Sequence, residues 1–175
     1  MKDVFSAFTS ASTDTPLGKF YLLFEADKLV YAGFSDPARP EVRLPALLRR
    51  RISALQPAER HPKHVQQAIR QIHSYFSGQP VKFDIPLQLY GSPFQQAVWN
   101  QLLAIPTGET RTYGKVAGEC GYPRAVRAVG SAVGSNPVSV IVPCHRVLPA
   151  TGGIGNYGGG LDKKEYLLRL EHALN

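Results

Sequence analysis

The 175-residue chain contains only two cysteines, Cys120 and Cys144, and a single tryptophan. Two thiols cannot build a disulfide framework, and they are too few for a cysteine-rich zinc module. Long apolar runs are also missing. The most hydrophobic stretch, 138–142, is interrupted by Ser139, so no segment is expected to span a bilayer. The first residues, Met1-Lys2-Asp3-Val4-Phe5, lack the apolar core of a secretory signal. Acidic residues are scarce, 13 against 20 Lys and Arg, which leaves a formal charge of +7. With 43% hydrophobic and 19% charged residues the chain has neither a disordered nor a fibrous composition. These absences predict a soluble protein of a reducing compartment, cytoplasmic or, in a eukaryote, nuclear. They also predict an anionic partner and no membrane contact.

The basic excess is informative where it is concentrated. Between 110 and 150 stand Arg111, Lys115, Arg124, Arg127 and Arg146, opposed by the single acid Glu119. This stripe is the candidate nucleic-acid footprint. The run Arg49-Arg50-Arg51 lies in a Leu-rich helical pattern and reads as a solvated helix face.

A proline-punctuated stretch divides the chain into two domains, 1–85 and 86–175. Residues 19–34 read as two strands around a short turn. Leu44, Leu47, Leu48, Ile52 and Leu55 recur at helical spacing within 41–55, with Pro45 in the first turn or breaking it. A stronger helix starts near Pro62, carries Val65, Ala68, Ile69, Ile72 and Phe76 on one stripe, and ends before Gly78. Prolines 80, 86 and 93 mark a linker around 79–92. The second domain reads as mostly helical. Ser92-Pro93-Phe94-Gln95 has the form of a capping box with proline at the first helical position, and Asp162-Lys-Lys-Glu165 has the form of another. Helices over about 113–120 and 123–134, joined through Gly121-Tyr122, outline a helix-turn-helix. On the second of these, Val126, Val129 and Val133 form the stripe expected to face the core. Arg124, Arg127 and Ser131 lie nearly opposite, and Ala125, Ala128 and Ala132 between them, with Gly130 and Gly134, leave the exposed surface almost free of bulk. A helix of that shape can approach another backbone closely.

The segment 141–147 carries the candidate chemistry. An apolar, strand-like run leads into Pro143, which ends regular pairing, and then into Cys144-His145-Arg146. A thiol is nucleophilic only as thiolate, and cationic or hydrogen-bonding neighbours favour that form. On an extended backbone adjacent side chains point apart, so His145 needs a turn or a water to reach the sulfur. Vicinal Cys144 and His145 suit a tetrahedral metal poorly, and no metal or other cofactor is expected. Cys120 reads as structural. Downstream, six glycines in 151–160 surround Asn156-Tyr157, a polar group beside an aromatic face that suits a wall for a nucleobase. Two other readings stay open on these residues. One is a helix-turn-helix regulator without chemistry, and the other a cysteine hydrolase with a Cys-His-Glu set.

Pro143-Cys-His-Arg-Val147 resembles the active-site motif of the O6-alkylguanine-DNA alkyltransferases, the methylated-DNA–protein-cysteine methyltransferases. So, in order, do Phe94-Gln-Gln-Ala-Val-Trp-Asn-Gln-Leu102, Ile105-Pro-Thr-Gly-Glu-Thr-Arg-Thr-Tyr113-Gly, Arg127-Ala-Val-Gly130, Asn136-Pro137, Gly155-Asn-Tyr157 and Glu171. The likeness spans nearly all of 91–172 and is loose before it, resting there on the hairpin and Thr15-Pro16-Leu17-Gly18.

The resemblance implies an α/β (α+β) architecture, with a ribonuclease H-like sheet-plus-helix domain before the helical one. It implies irreversible, single-turnover transfer of an alkyl group from O6-alkylguanine in DNA to Cys144, with O4-alkylthymine as a second candidate lesion. In that likeness His145, through a water, takes the thiol proton while Glu171 polarises it. Asn136 is the hinge at the active-site turn, and Tyr113 serves the leaving guanine and the flipped nucleotide's phosphate. Arg127 is the finger entering the vacated stack. The helix with Arg124, Ala125, Ala128 and Ser131 lies in the minor groove of double-stranded DNA, which a monomer binds, with cooperativity left open. Val147, Asn156, Tyr157 and Gly158 are implied as the base pocket. Two departures accompany the likeness. Some relatives bind zinc through N-terminal cysteines, and no Cys precedes Cys120. Gly158 stands where a close relative has Ser, which keeps an N–H contact and loses a side-chain one.

Overall fold

In the computed structural model, residues 8–38, 44–52, 56–57 and 61–174 are described. The chain divides into two compact units, Met1–Tyr90 and Gly91–Asn175. In the first, strands β1 (Phe8–Thr15), β2 (Gly18–Glu25) and β3 (Lys28–Gly33) form an antiparallel meander. A two-residue strand, β4 (Gln56–Pro57), pairs parallel to β1, giving the order β3-β2-β1-β4. The hairpin predicted within 19–34 is β2 and β3, and β1 lies beyond what periodicity signalled. Phe20, Leu22, Leu23 and Phe24 on β2 are all buried, which explains their continuous rather than alternating run.

Helix α1 (Ala46–Arg51) follows Pro45, so the helix expected over 41–55 is shorter at both ends. Leu48 is its buried residue and Leu47 is exposed; Leu55 lies outside the described residues. Arg51 departs from the expected solvated face. It pairs with the buried Glu25 carboxylate, and its guanidinium lies 5.6 Å from the centre of the Tyr90 ring. Helix α2 (Lys63–Phe76) buries Val65, Ala68, Ile72 and Phe76 of the predicted stripe, with Ile69 half-buried.

The segment expected to be a free linker is instead stitched to β3. Leu29 N donates to Pro86 O at 2.8 Å and Gln88 N to Leu29 O at 3.0 Å. Tyr90 donates its hydroxyl to Glu25. Those bonds carry the first unit through Tyr90, five residues past the boundary read from prolines.

The second unit contains α3 (Pro93–Leu103), α4 (Tyr113–Glu119), α5 (Val126–Gly134) and α6 (Leu161–Leu170). Short strands β5 (Arg111–Thr112) and β6 (Val147–Leu148) pair in parallel. The capping box at Ser92 is present in full: Gln95 N donates to Ser92 Oγ, and Ser92 N to Gln95 Oε1. The one expected at Asp162 is not. Helix α6 starts after Gly160, whose φ of 103° favours glycine, and Glu165 pairs with Arg169 at 2.8 Å one turn on.

Candidate active site

The helix-turn-helix is α4, a turn through Gly121, and α5. Thr112 caps α4 by accepting from Lys115 N at 3.2 Å. Helix α5 begins at Val126 rather than Pro123, because Ala125 N bonds Tyr122 O and closes a turn first. The later start leaves Val126, the end of the predicted stripe, 40% exposed in the first turn, and Ala132, expected on the exposed surface, is buried beside Val129 and Val133. Trp99 Nε1 donates to Ala132 O at 2.8 Å, which docks α5 on α3. Arg124, Arg127, Ala128 and Ser131 are exposed and Ala125 is half-exposed, as the sequence reading required of that surface. The basic stripe itself is thinner than its sequence. Arg111 pairs with Glu109 at 2.8 Å and Glu119 at 3.8 Å, and Arg146 is buried.

The run 138–142 is not a strand. Val138, Val140, Ile141 and Val142 are buried, yet their backbone closes through local turns. Ile141 N donates to Ser139 O across Val140, whose φ is 72°, strained for a β-branched residue. Cys144 N donates to Val142 O across Pro143 at φ −83°, ψ 63°, an inverse γ-turn. Asn136, just past α5, ties these turns together. It accepts from Val138 N at 3.0 Å and donates Nδ2–H to Val142 O at 2.8 Å and to Cys144 Sγ at 3.1 Å.

Cys144, His145 and Arg146 form one turn of 3₁₀ helix, which replaces the expected extended backbone. Cys144 is only 7% exposed. Burial pushes its thiol up, and the Asn136 hydrogen bond and the Lys164 charge work against that rise. His145 is completely buried and bonds Glu171 Oε1 through Nε2 at 2.9 Å. Its Nδ1 is buried without a hydrogen bond from any described residue. No hydrogen bond joins Cys144 to His145, unlike the direct thiol–imidazole pair of cysteine hydrolases. Glu171 caps the C-terminal end of α6. Burial alone would raise its carboxyl, but the hydrogen bonds and charges of His145 and Arg146 outweigh it and hold it well below the usual carboxylate range. The turn Ile105-Pro-Thr-Gly108 packs beside it. Gly108 has φ 82°, and a side chain there would come within 3.1 Å of Glu171 O.

Tyr113 is half-buried against Gly130 of α5, and burial, with the nearby Cys144, raises its phenol. The Tyr157 ring is partly exposed and its hydroxyl buried, close to Ser139 and Cys144 but without a well-formed hydrogen bond. Asn156 and Gly158 are exposed, and Val147 is fully buried. Lys164 was missed by sequence reasoning, which treated it as part of a helix start. It is completely buried, donating to Val147 O at 2.8 Å and Asn156 O at 3.3 Å, and burial brings its ammonium down to about 8. It therefore joins β6 to the glycine-rich loop. Gly155 (φ 67°) sits in that loop so close to Pro149 that a side chain would come within 2.7 Å.

Two family models match this chain in tandem. Residues 9–89 match the ribonuclease-like domain, and residues 93–173 the DNA binding domain, of 6-O-methylguanine DNA methyltransferase. The chain belongs to the 6-O-methylguanine-DNA methyltransferase family. The methylated-DNA–protein-cysteine methyltransferase of Methanosarcina acetivorans is 39% identical over 158 residues, covering 90% of this chain and 94% of the relative. The protein of the same name from Mycolicibacterium paratuberculosis is 51% identical over 111 residues, 63% of this chain and 67% of the relative. Among solved structures, Mycobacterium tuberculosis OGT in complex with DNA superposes with a TM-score of 0.80 at 38% identity. That match covers 94% of this chain and 92% of the other. Family membership carries the fold expected from sequence, a ribonuclease-like sheet unit followed by a helical one.

The buried imidazole gives the site an acid-sensitive stability. Burial, opposed by the Glu171 bond, keeps His145 below its ordinary value, so the unfolded chain takes up the proton first. The stability from holding His145 neutral is complete above about pH 6.5 and declines as the pH falls below it. Urea-unfolding midpoints measured across this range should fall less steeply for His145→Asn than for the parent. Parallel slopes would show that His145 does not carry the effect.

Proposed function

We propose that this protein repairs DNA by transferring the alkyl group of O6-alkylguanine to its own Cys144, once per molecule. The reading rests on family membership and on one observation: a buried thiol, hydrogen-bonded by Asn136 Nδ2 at 3.1 Å, in the turn that also seats His145 on Glu171. An N–H donor at that distance favours thiolate over thiol. His145, with Nε2–H engaged by Glu171, keeps Nδ1 as the lone pair that takes the Cys144 proton through a water. The sulfur then attacks the alkyl carbon, a C–S bond forms, and the carbon–O6 bond breaks with its electron pair going to guanine. Tyr113 supplies the proton the leaving base needs. The product thioether has no leaving group, so the reaction does not turn over.

A residue as enclosed as Cys144 cannot touch the O6 of a stacked guanine, which favours extrusion of the nucleotide into the protein. Arg127 then fills the gap in the stack. The small, exposed surface of Ala128 and Ser131, flanked by Arg124, suits a minor-groove approach by a monomer. Asn156, Tyr157 and Gly158 line the extruded base on one side and Val147 lies beneath it. Lys164 already occupies the Val147 and Asn156 carbonyls, one bond each. Each oxygen keeps a second lone pair for the base.

Incubation with duplex carrying O6-methylguanine should add one methyl to the peptide containing Cys144 and none to that containing Cys120, as read by peptide mass mapping. An unmodified Cys144 peptide, or label on Cys120, would contradict the reading. Arg127→Ala should slow repair of duplex at least tenfold while leaving reaction with the free alkylated base nearly unchanged, an energy loss of about 1.4 kcal/mol or more confined to extrusion. Equal losses for both substrates would remove Arg127 from that role.

A further inference from the structure

Arg146 is the charged residue of the active-site turn to which alkyl transfer, as set out above, gives no task. Its sequence position suggested a cation available to DNA or to the thiol, but its hydrogen bonds run inward. Nε donates to Glu171 Oε2 at 2.8 Å, and Nη2 to Glu171 Oε1 at 2.9 Å and to Thr107 Oγ1 at 3.1 Å. Nη1 donates to Ile105 O. The residue is 7% exposed, so this guanidinium cannot reach a phosphate. Its planar fork instead grips both oxygens of the carboxylate that holds His145.

That geometry addresses a conflict in the site. A buried carboxylate beside an imidazole orients the ring but also stabilises the imidazolium, which has no lone pair left to accept the thiol proton. The charged groups facing His145 are Glu171 at the end of α6, Lys164 within α6, and Arg146 in the same 3₁₀ turn. Glu171 favours the cation, and the two positive charges oppose it. Of those two, Arg146 shares the carboxylate itself.

We propose that Arg146 is a positioning residue for alkyl transfer: its fork fixes Glu171 and takes up its charge, so that the carboxylate orients His145 through Nε2 while Nδ1 stays a free base. The proposal rests on the reading of His145 as the proton acceptor. When the Cys144 proton arrives at Nδ1, Glu171 keeps both its charge and its Nε2–H bond, and Arg146 stays bonded to it. The buried, unpartnered Nδ1 is the atom this arrangement leaves available.

The test combines ¹⁵N-imidazole NMR of the full chain with single-turnover rates against pH on duplex carrying O6-methylguanine, for the parent, R146M and R146K. In the parent, His145 should be neutral at pH 7 with the proton on Nε2. R146M should raise both the His145 titration and the acid limb of the rate profile by about 1 pH unit. R146K restores the charge without the fork, so it should return the limb to its parental position at a lower plateau. An Nδ1–H tautomer or an imidazolium in the parent at pH 7 would overturn the proposal. So would an R146M whose rate falls by one factor at every pH with His145 unmoved. Should R146M not fold, the parent spectrum and the R146K profile decide the matter. A parent that transfers no alkyl group would sink the reading of function instead, and the NMR result would be unaffected by it.

Discussion

The Glu171 carboxylate is the constraint on which the rest of the site depends. It is buried at the C-terminal end of α6, where the helix dipole disfavours a negative charge. It persists there as an anion because His145 and Arg146 supply three hydrogen bonds. Through Arg146 the same network reaches the Ile105 carbonyl and Thr107, so α6, the 3₁₀ turn and the loop after α3 are held by one carboxylate. Removing one partner from such a buried pair typically costs about 3–5 kcal/mol, because the remaining charge is left uncompensated. An acceptor-only carboxylate at Nε2 also orients the ring and favours the proton on that nitrogen.

Asn136 provides the second tie. Its side chain spans the end of α5 and the turns before Cys144, so displacement of α5 is felt at the sulfur. This is a physical route by which the exposed surface of α5, proposed to lie on DNA, and the thiol beneath it act as one body. The positive φ of Val140 fits the same picture, since strain of this kind persists only where surrounding bonds over-determine the backbone. Lys164 closes the remaining side by joining Val147 and Asn156. Asn136, Arg146 and Lys164 each also satisfy backbone carbonyls, which keeps a turn-rich segment buried without a sheet ladder.

Local rules made much of this legible in the sequence. The capping box at Ser92, the apolar stripe of α2, the helix-turn-helix spacing and the Pro-Cys-His-Arg-Val run each follow from chemistry within a few residues. What was not legible depends on distant partners. Val138 to Val142 reads as a strand until Asn136 is placed to accept and donate across it. Arg146 reads as a surface cation until Glu171, 25 positions away, is brought beside it. Lys164 looks like a helix-start residue because nothing in its neighbourhood reveals the two carbonyls it serves. Val126 shares the helical phase of Val129 and Val133, yet it stands in the first turn of α5 and is exposed there.

The proposed reaction consumes one enclosed thiol once. Titrating a known amount of protein with an excess of duplex carrying O6-[³H]methylguanine, and following protein-bound label to completion, tests it most directly. The expected result is a plateau at one methyl per chain, absent in Cys144→Ala, with no methyl released to solution. Product continuing to accumulate beyond one equivalent, or label retained after Cys144 is removed, would contradict it.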